Sequence, residues 1–173
     1  MKAYRSFLLI TVAIIGFSAV AVPAQRSIDD QVFHKLRGLP NYNVFDNITW
    51  HVNGSTVVLA GKVDSIGTRS QAAASVKDIP GVTRVVNEIE QLPPSSFDDR
   101  IRRQAYLTFV NRGPGQYFGD PNPDVRIVVE HGRITLEGYV YSKSDSDLLN
   151  ILANGVPNVF GVTNNLIVGK RSY

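Results

Sequence analysis

The chain has 173 residues, of which 43% are hydrophobic and 19% are charged, a composition typical of a globular rather than a disordered protein. It contains no cysteine, which excludes disulfide cross-links, thiol catalysis and thiolate metal sites. The formal net charge is only +3, and two of the positive charges lie near the N-terminus. The charge therefore does not indicate a nucleic-acid partner.

The first 24 residues have the pattern of a secretory signal peptide. Lys2 and Arg5 form a basic segment, residues 7–20 are apolar, and small residues precede a cleavage site near Ala24. The apolar run is shorter than the roughly 20 residues that cross a bilayer as a helix. We therefore expect export with cleavage rather than a retained membrane anchor.

Two parts of the chain repeat each other. Residues 48–89 align without a gap to residues 125–166, at a constant offset of 77. The opening segments correspond at an offset of 69, so the second copy contains an eight-residue insertion. Pro93 and Pro94 lie between the copies and break regular structure. We expect three parts: a signal peptide at 1–24, a first domain at 27–91, and a second domain at 96–169 with a longer loop at 111–124.

In chain order, the first copy begins with a helix that Ser27 caps, followed by acidic residues in the first turn. Alternating apolar residues then predict two strands that meet at the tight turn Asn53-Gly54. Ser65 caps a second helix, which ends before Pro80-Gly81 and a third strand.

The second copy repeats this order, with Ser96 as the expected cap of its first helix and His131-Gly132 as its hairpin turn. A helix between two strands usually returns the chain parallel to the first of them, so the third strand should run parallel to the second. The predicted fold class is α+β: two helix-strand-strand-helix-strand units, each a small mixed three-stranded sheet with two helices.

No group of residues predicts catalysis or a cofactor. The histidines occupy non-equivalent positions, whereas a metal needs converging ligands. The pairs Asp29-Asp30 and Asp98-Asp99 occur where helix caps belong. The glycine-rich segment 113–119 lacks the spacing and the preceding strand of a phosphate-binding loop. We expect no enzyme, no cofactor, no metal and no nucleic-acid ligand.

The pattern Val57-x-Leu59-x-Gly61-x-Val63, followed by a helix and Pro80-Gly81-Val82-x-x-Val85-x-Asn87-x-Ile89, resembles the BON domain of bacterial envelope proteins. The second copy departs from it at Asn158, which replaces the glycine. The structural positions of this pattern are Gly61, Gly138, Gly81, Asn87 and Asn164. The resemblance implies periplasmic residence, tandem pairs, roles in envelope integrity and osmotic stress, and affinity for phospholipid surfaces.

A basic and aromatic segment in the second copy is the candidate lipid-binding site. Its members are Arg100, Arg102, Arg103, Tyr106, Phe109, Tyr117 and Phe118. Such a helix suits a lipid headgroup boundary, although its apolar side can instead pack on its own sheet. Our first hypothesis is a non-catalytic periplasmic module that binds an anionic phospholipid membrane or another envelope surface. The alternative is a protein-binding or chaperone-like stress module whose partners are envelope proteins.

Overall fold

A computed structural model describes residues 26–119 and 122–169, so the predicted signal peptide lies outside the described residues. The first domain comprises α1 (Ile28–Arg37), β1 (Asn47–Asn53), β2 (Thr56–Val63), α2 (Ile66–Lys77) and β3 (Arg84–Gln91). The second comprises α3 (Ser96–Arg112), a short 3-10 helix (Gly115–Phe118), β4 (Val125–Glu130), β5 (Arg133–Val140), α4 (Lys143–Asn154) and β6 (Gly161–Val168). This order of elements confirms the predicted fold class.

The two sheets have the same topology. Their strand orders are β1-β2-β3 and β4-β5-β6. In each, the hairpin strands are antiparallel, and the third strand runs parallel to the second. The mixed sheet predicted from the connection lengths is therefore confirmed.

Serine side chains begin the helices, as the sequence indicates. The Oγ atom of Ser27 accepts the backbone N–H of Asp30 at 3.1 Å, and Ser65 caps α2. The cap of α3 differs from the prediction by one residue. Ser95, in extended conformation, accepts the N–H of Asp98 at 3.2 Å, and Ser96 is already helical. Either serine can supply the capping oxygen, and the backbone conformation determines which one does.

Each domain has its own hydrophobic core between the helices and one face of the sheet. Leu59 in β2 and Leu136 in β5 are both completely buried, at equivalent positions of the repeat. The remaining core residues come from the helix faces and from alternate strand positions. Alternation leaves the other face of each sheet free of helices.

Candidate functional site

The structure separates the seven residues of the candidate lipid-binding segment. The side chains of Arg102, Phe109, Tyr117 and Phe118 are buried, and Tyr106 is half-buried. Arg100 and Arg103 are exposed. Three of the buried side chains belong to the core of the second domain, so they are not displayed on a surface loop as the sequence suggested.

Arg102 is buried because it links α3 to its surroundings through several polar contacts. Its guanidinium group donates to the carbonyl oxygen of Val129 at 2.8 Å and to the carboxylate of Asp99 at 2.5 Å. It also lies 3.1 Å from the carboxylate of Asp64 in the first domain. Arg102 is 3% exposed, and its charge is compensated within the protein. It is a contact between the domains.

Tyr117 and Phe118 lie on the short 3-10 helix inside the predicted loop 111–124. The ring of Phe118 stacks on that of Phe109, with centroids 5.4 Å apart. The Tyr117 hydroxyl donates to Asp145 at 2.7 Å and accepts the N–H of Tyr141 at 2.8 Å. Burial raises the pKa of Tyr117, so the hydroxyl stays protonated. The eight-residue insertion thus folds back and closes the core.

The exposed side of α3 carries a basic and apolar row that we call the α3 stripe: Arg100, Arg103, Leu107 and Val110. Their spacing of three, four and three residues places them on one face of the helix. Leu107 is 55% exposed and Val110 is 38% exposed. The sequence pattern did not single out either one, because the apolar residues of this helix were expected in the core. The spacing of Arg100 and Arg103 was the signal that could have identified them.

The neighbouring helix α4 adds two exposed apolar side chains. Leu148 is 39% exposed and Ile151 is 67% exposed, and they lie one turn apart. Leu149 and Ala153 turn to the core instead and are fully buried. Since α3 and α4 pack together, the second domain presents an apolar helical surface beside two exposed arginines.

The first domain contacts the second through the loop between α1 and β1. The carbonyl oxygen of Val44 accepts the N–H of Ile127 at 2.8 Å, and that of Asn43 accepts the Arg126 guanidinium at 2.8 Å. The guanidinium of Arg126 also lies 4.2 Å from the centre of the Tyr42 ring. Arg126 is 3% exposed in β4, on the sheet face opposite the core. The loop therefore covers part of the sheet face that would otherwise meet solvent.

Two ion pairs accompany this loop. Lys62 at the end of β2 pairs with Glu130 at the end of β4, and Asp64 pairs with the buried Arg102. Both connect the end of β2 to the second domain. The two repeats are thus in direct contact, although the sequence alone predicted only that they lie close together.

Asp46 is a buried carboxylate that holds the contacting loop in place. It is fully buried and accepts the N–H of Asn43 at 3.0 Å and the N–H of Asp64 at 2.7 Å. Burial raises its pKa above the ordinary 3.8, against the opposing effect of these two donors. Both donors flank residues that contact the second domain, so Asp46 positions the interface.

We expect Asp46 to add stability as the pH falls. A raised folded-state pKa means that the folded protein takes up its proton before the unfolded chain does. The stabilising contribution is complete below pH 3.8 and is lost as the pH rises through the folded pKa. Urea unfolding of wild type and Asp46→Asn between about pH 3.5 and 7 measures this as a difference in which other carboxylates cancel. A difference that shifts further in favour of wild type with rising pH would contradict the assignment.

The family glycines have a more specific role than the helix–sheet packing expected from sequence. Gly61 and Gly138 have φ of +118° and +115°. A Cβ atom at Gly138 would lie 2.0 Å from the carbonyl oxygen of Asp124, and one at Gly61 would lie 2.1 Å from that of Asn47. The constraint is therefore a close approach of the neighbouring strand's backbone.

The remaining family positions also have structural roles. Asn87 donates to the carbonyl oxygen of Arg69 at 3.1 Å and accepts the N–H of Ile89 at 3.2 Å, and Asn164 makes the equivalent contacts to α4 and β6. Gly81 has φ of +93°, and Asn158 takes the equivalent turn at +67°. Asparagine tolerates this conformation better than most residues, which explains the departure from the pattern.

No reactive cluster occurs in the part of the chain that the structure describes. There, no three His, Asp or Glu side chains converge to bind a metal. A groove of about 460 Å³ between the domains contains charges of both signs, among them Lys62, Glu130, Arg133 and Glu137. Within residues 26–119 and 122–169, no helix has the length and apolar content of a membrane span.

The fold and surface define a class of protein: a tandem pair of small α+β modules in direct contact. A family model described as BON domain matches residues 28–93 and 108–170. The chain therefore belongs to the BON domain family and contains the domain twice. This membership indicates a non-catalytic, envelope-associated module. No protein of curated function matches the sequence.

Solved structures include two distant resemblances. One is the C-terminal domain of CdsD, a structural protein of the type III secretion system of Chlamydia trachomatis, with 12% identity over 84% of this chain and 99% of that chain. A second CdsD structure shares 12% identity over 83% and 93% of the two chains. Their TM-scores are 0.33 and 0.31, too low to support an argument about function.

Proposed function

We propose that this protein is a non-catalytic periplasmic module that binds anionic phospholipid surfaces through the α3 stripe and supports envelope integrity or the osmotic stress response. The observation that carries the proposal is the stripe itself, with two exposed arginines followed by two exposed apolar residues on one helix face. Basic and apolar groups in this arrangement suit a headgroup boundary, where the arginines meet phosphate and the apolar groups meet the upper acyl chains.

The expected affinity is modest. Each arginine near an anionic surface contributes about 1 kcal/mol, so the pair alone gives binding weaker than about 1 mM. Partial insertion of Leu107 and Val110 adds a hydrophobic contribution, and Leu148 and Ile151 of α4 can extend it. Binding should weaken with salt, because exposed charges are screened over about 8–10 Å.

Vesicle co-sedimentation tests the proposal, using the chain from Gln25 onward and phosphatidylcholine vesicles with or without phosphatidylglycerol. We expect binding only to the anionic vesicles at low salt, and about a tenfold loss for Arg100→Glu/Arg103→Glu. Leu107→Ser/Val110→Ser should also lose binding, but without a change in its salt dependence. Arg102 is left intact because it holds the domains together.

The matched control is Lys35→Glu/Lys77→Glu, which makes the same charge change at two exposed lysines of the first domain. This variant should bind as wild type does, because those lysines lie outside the stripe. Equal loss in the control would indicate a non-specific effect of net charge. Unaltered binding by both stripe variants would reject the lipid site and favour the protein-binding alternative.

A further inference from the structure

The free edge of β6 lacks the usual protection of an edge strand. Among the described residues, no strand pairs with this side of β6. The strand lies within residues 155–169, which contain no charged side chain. Phe160, Ile167 and Val168 are 68%, 54% and 48% exposed. A long, uncharged edge with exposed apolar side chains is a template for pairing with another strand.

The first domain shows how the same edge looks when it is protected. β3 is the counterpart of β6, and it carries Arg84, Glu88 and Glu90. Charged side chains on an edge strand disfavour pairing, because they would have to lose water. The residues of β6 at these positions, 77 residues later, are Gly161, Asn165 and Ile167. The loss of all three charges distinguishes the second repeat from the first.

We propose that the free edge of β6 pairs with β6 of a second copy of this chain, antiparallel, to join two three-stranded sheets into one of six strands. With a two-fold axis at Asn164, Val162 lies opposite Leu166 of the second copy, and Gly161 lies opposite Ile167. Apolar residues face apolar ones, a small residue faces a large one, and no charge is buried.

A second copy is the occupant that this edge fits, because a two-fold contact requires a self-complementary surface. The uncharged strand meets that requirement in the register centred on Asn164. The Asn164 side chain accepts the N–H of Leu166 at 3.1 Å, but Asn87 protects β3 in the same way, so the charges remain the difference. A single pair of strands buries less than the usual interface of about 1,600 Å², so the dimer should be weak and concentration-dependent.

Sedimentation velocity on the chain from Gln25 onward, between about 1 and 100 µM, tests for the dimer. Wild type should shift from monomer toward dimer over this range. The variant Asn165→Glu/Ile167→Glu introduces the residues that β3 carries at the same positions and should stay monomeric, with at least tenfold weaker association. Ser70→Glu/Ala74→Glu adds the same charge on exposed positions of α2 and should dimerise as wild type does.

Cysteine cross-linking tests the register, since the chain has no cysteine of its own. Thr163 should lie opposite Asn165 of the second copy, so an equimolar mixture of Thr163→Cys and Asn165→Cys should oxidise to a disulfide-linked dimer more readily than either variant alone. The corresponding β3 mixture, Val86→Cys with Glu88→Cys, should not. A monomer at every concentration, a dimer that persists in Asn165→Glu/Ile167→Glu, or equal cross-linking by both mixtures would overturn the proposal.

Discussion

Replacing Gly138 by alanine is expected to unfold the second domain under conditions in which wild type is folded. The glycine has φ of +115°, a conformation that L-residues rarely adopt. An added Cβ would lie 2.0 Å from the carbonyl oxygen of Asp124, so the chain entering β4 must move. Strain and lost strand pairing together should cost about 3 kcal/mol or more, a large part of a domain's total stability of about 5–15 kcal/mol.

Urea unfolding followed by circular dichroism measures this loss, and Gly54→Ala provides the control. Gly54 also has positive φ, at +59°, but a Cβ added there would meet no atom within 4 Å. Only conformational strain of about 1 kcal/mol is therefore expected for the control. Equal midpoints for Gly138→Ala and Gly54→Ala would show that the close backbone approach is not the constraint.

Truncation of Leu136 or Leu59 to alanine is expected to cost about 2–5 kcal/mol, because each side chain is fully buried and its removal leaves a cavity. Each change should act mainly on its own domain. Trp50 is the only tryptophan in the sequence and lies in β1, so its fluorescence reports on the first domain. Leu59→Ala should lower the fluorescence midpoint more than Leu136→Ala does.

The control for both is Val58→Ala, on the opposite face of β2 from Leu59 and only partly buried. It should change the unfolding free energy by less than about 1 kcal/mol. Leucine variants with the midpoint of wild type would show that the assignment of strand faces is wrong. A fluorescence midpoint that Leu136→Ala lowers as much as Leu59→Ala would mean that the domains unfold as one cooperative unit.

Much of the fold could be predicted because local signals agree with one another. Alternation around Leu59 and Leu136 defines the buried strand faces, and the offset of 77 residues supports every element twice. The cap at Ser95 was missed because adjacent serines offer the same chemistry, and only backbone conformation separates them.

The candidate site was less predictable because it depends on which charges become covered. In the sequence, Arg102 and Arg126 look like solvent-exposed residues, yet both are 3% exposed because the first domain packs over them. Such burial arises from contacts between distant parts of the chain, which local periodicity does not encode. The insertion that buries Tyr117 also has no counterpart in the first repeat, so the internal comparison gave no guide to its conformation.

The contact between the domains also limits how many repeats such a chain can hold together. The first domain contributes Lys62 and Asp64, whereas the second contributes Glu130 and Arg102. A head-to-tail contact of this kind propagates along a series of identical units and produces a filament unless the last unit lacks one half of it. At the positions of Lys62 and Asp64 the second domain has Tyr139 and Tyr141. The array therefore terminates at two units, because the second cannot offer a third the charges that it received.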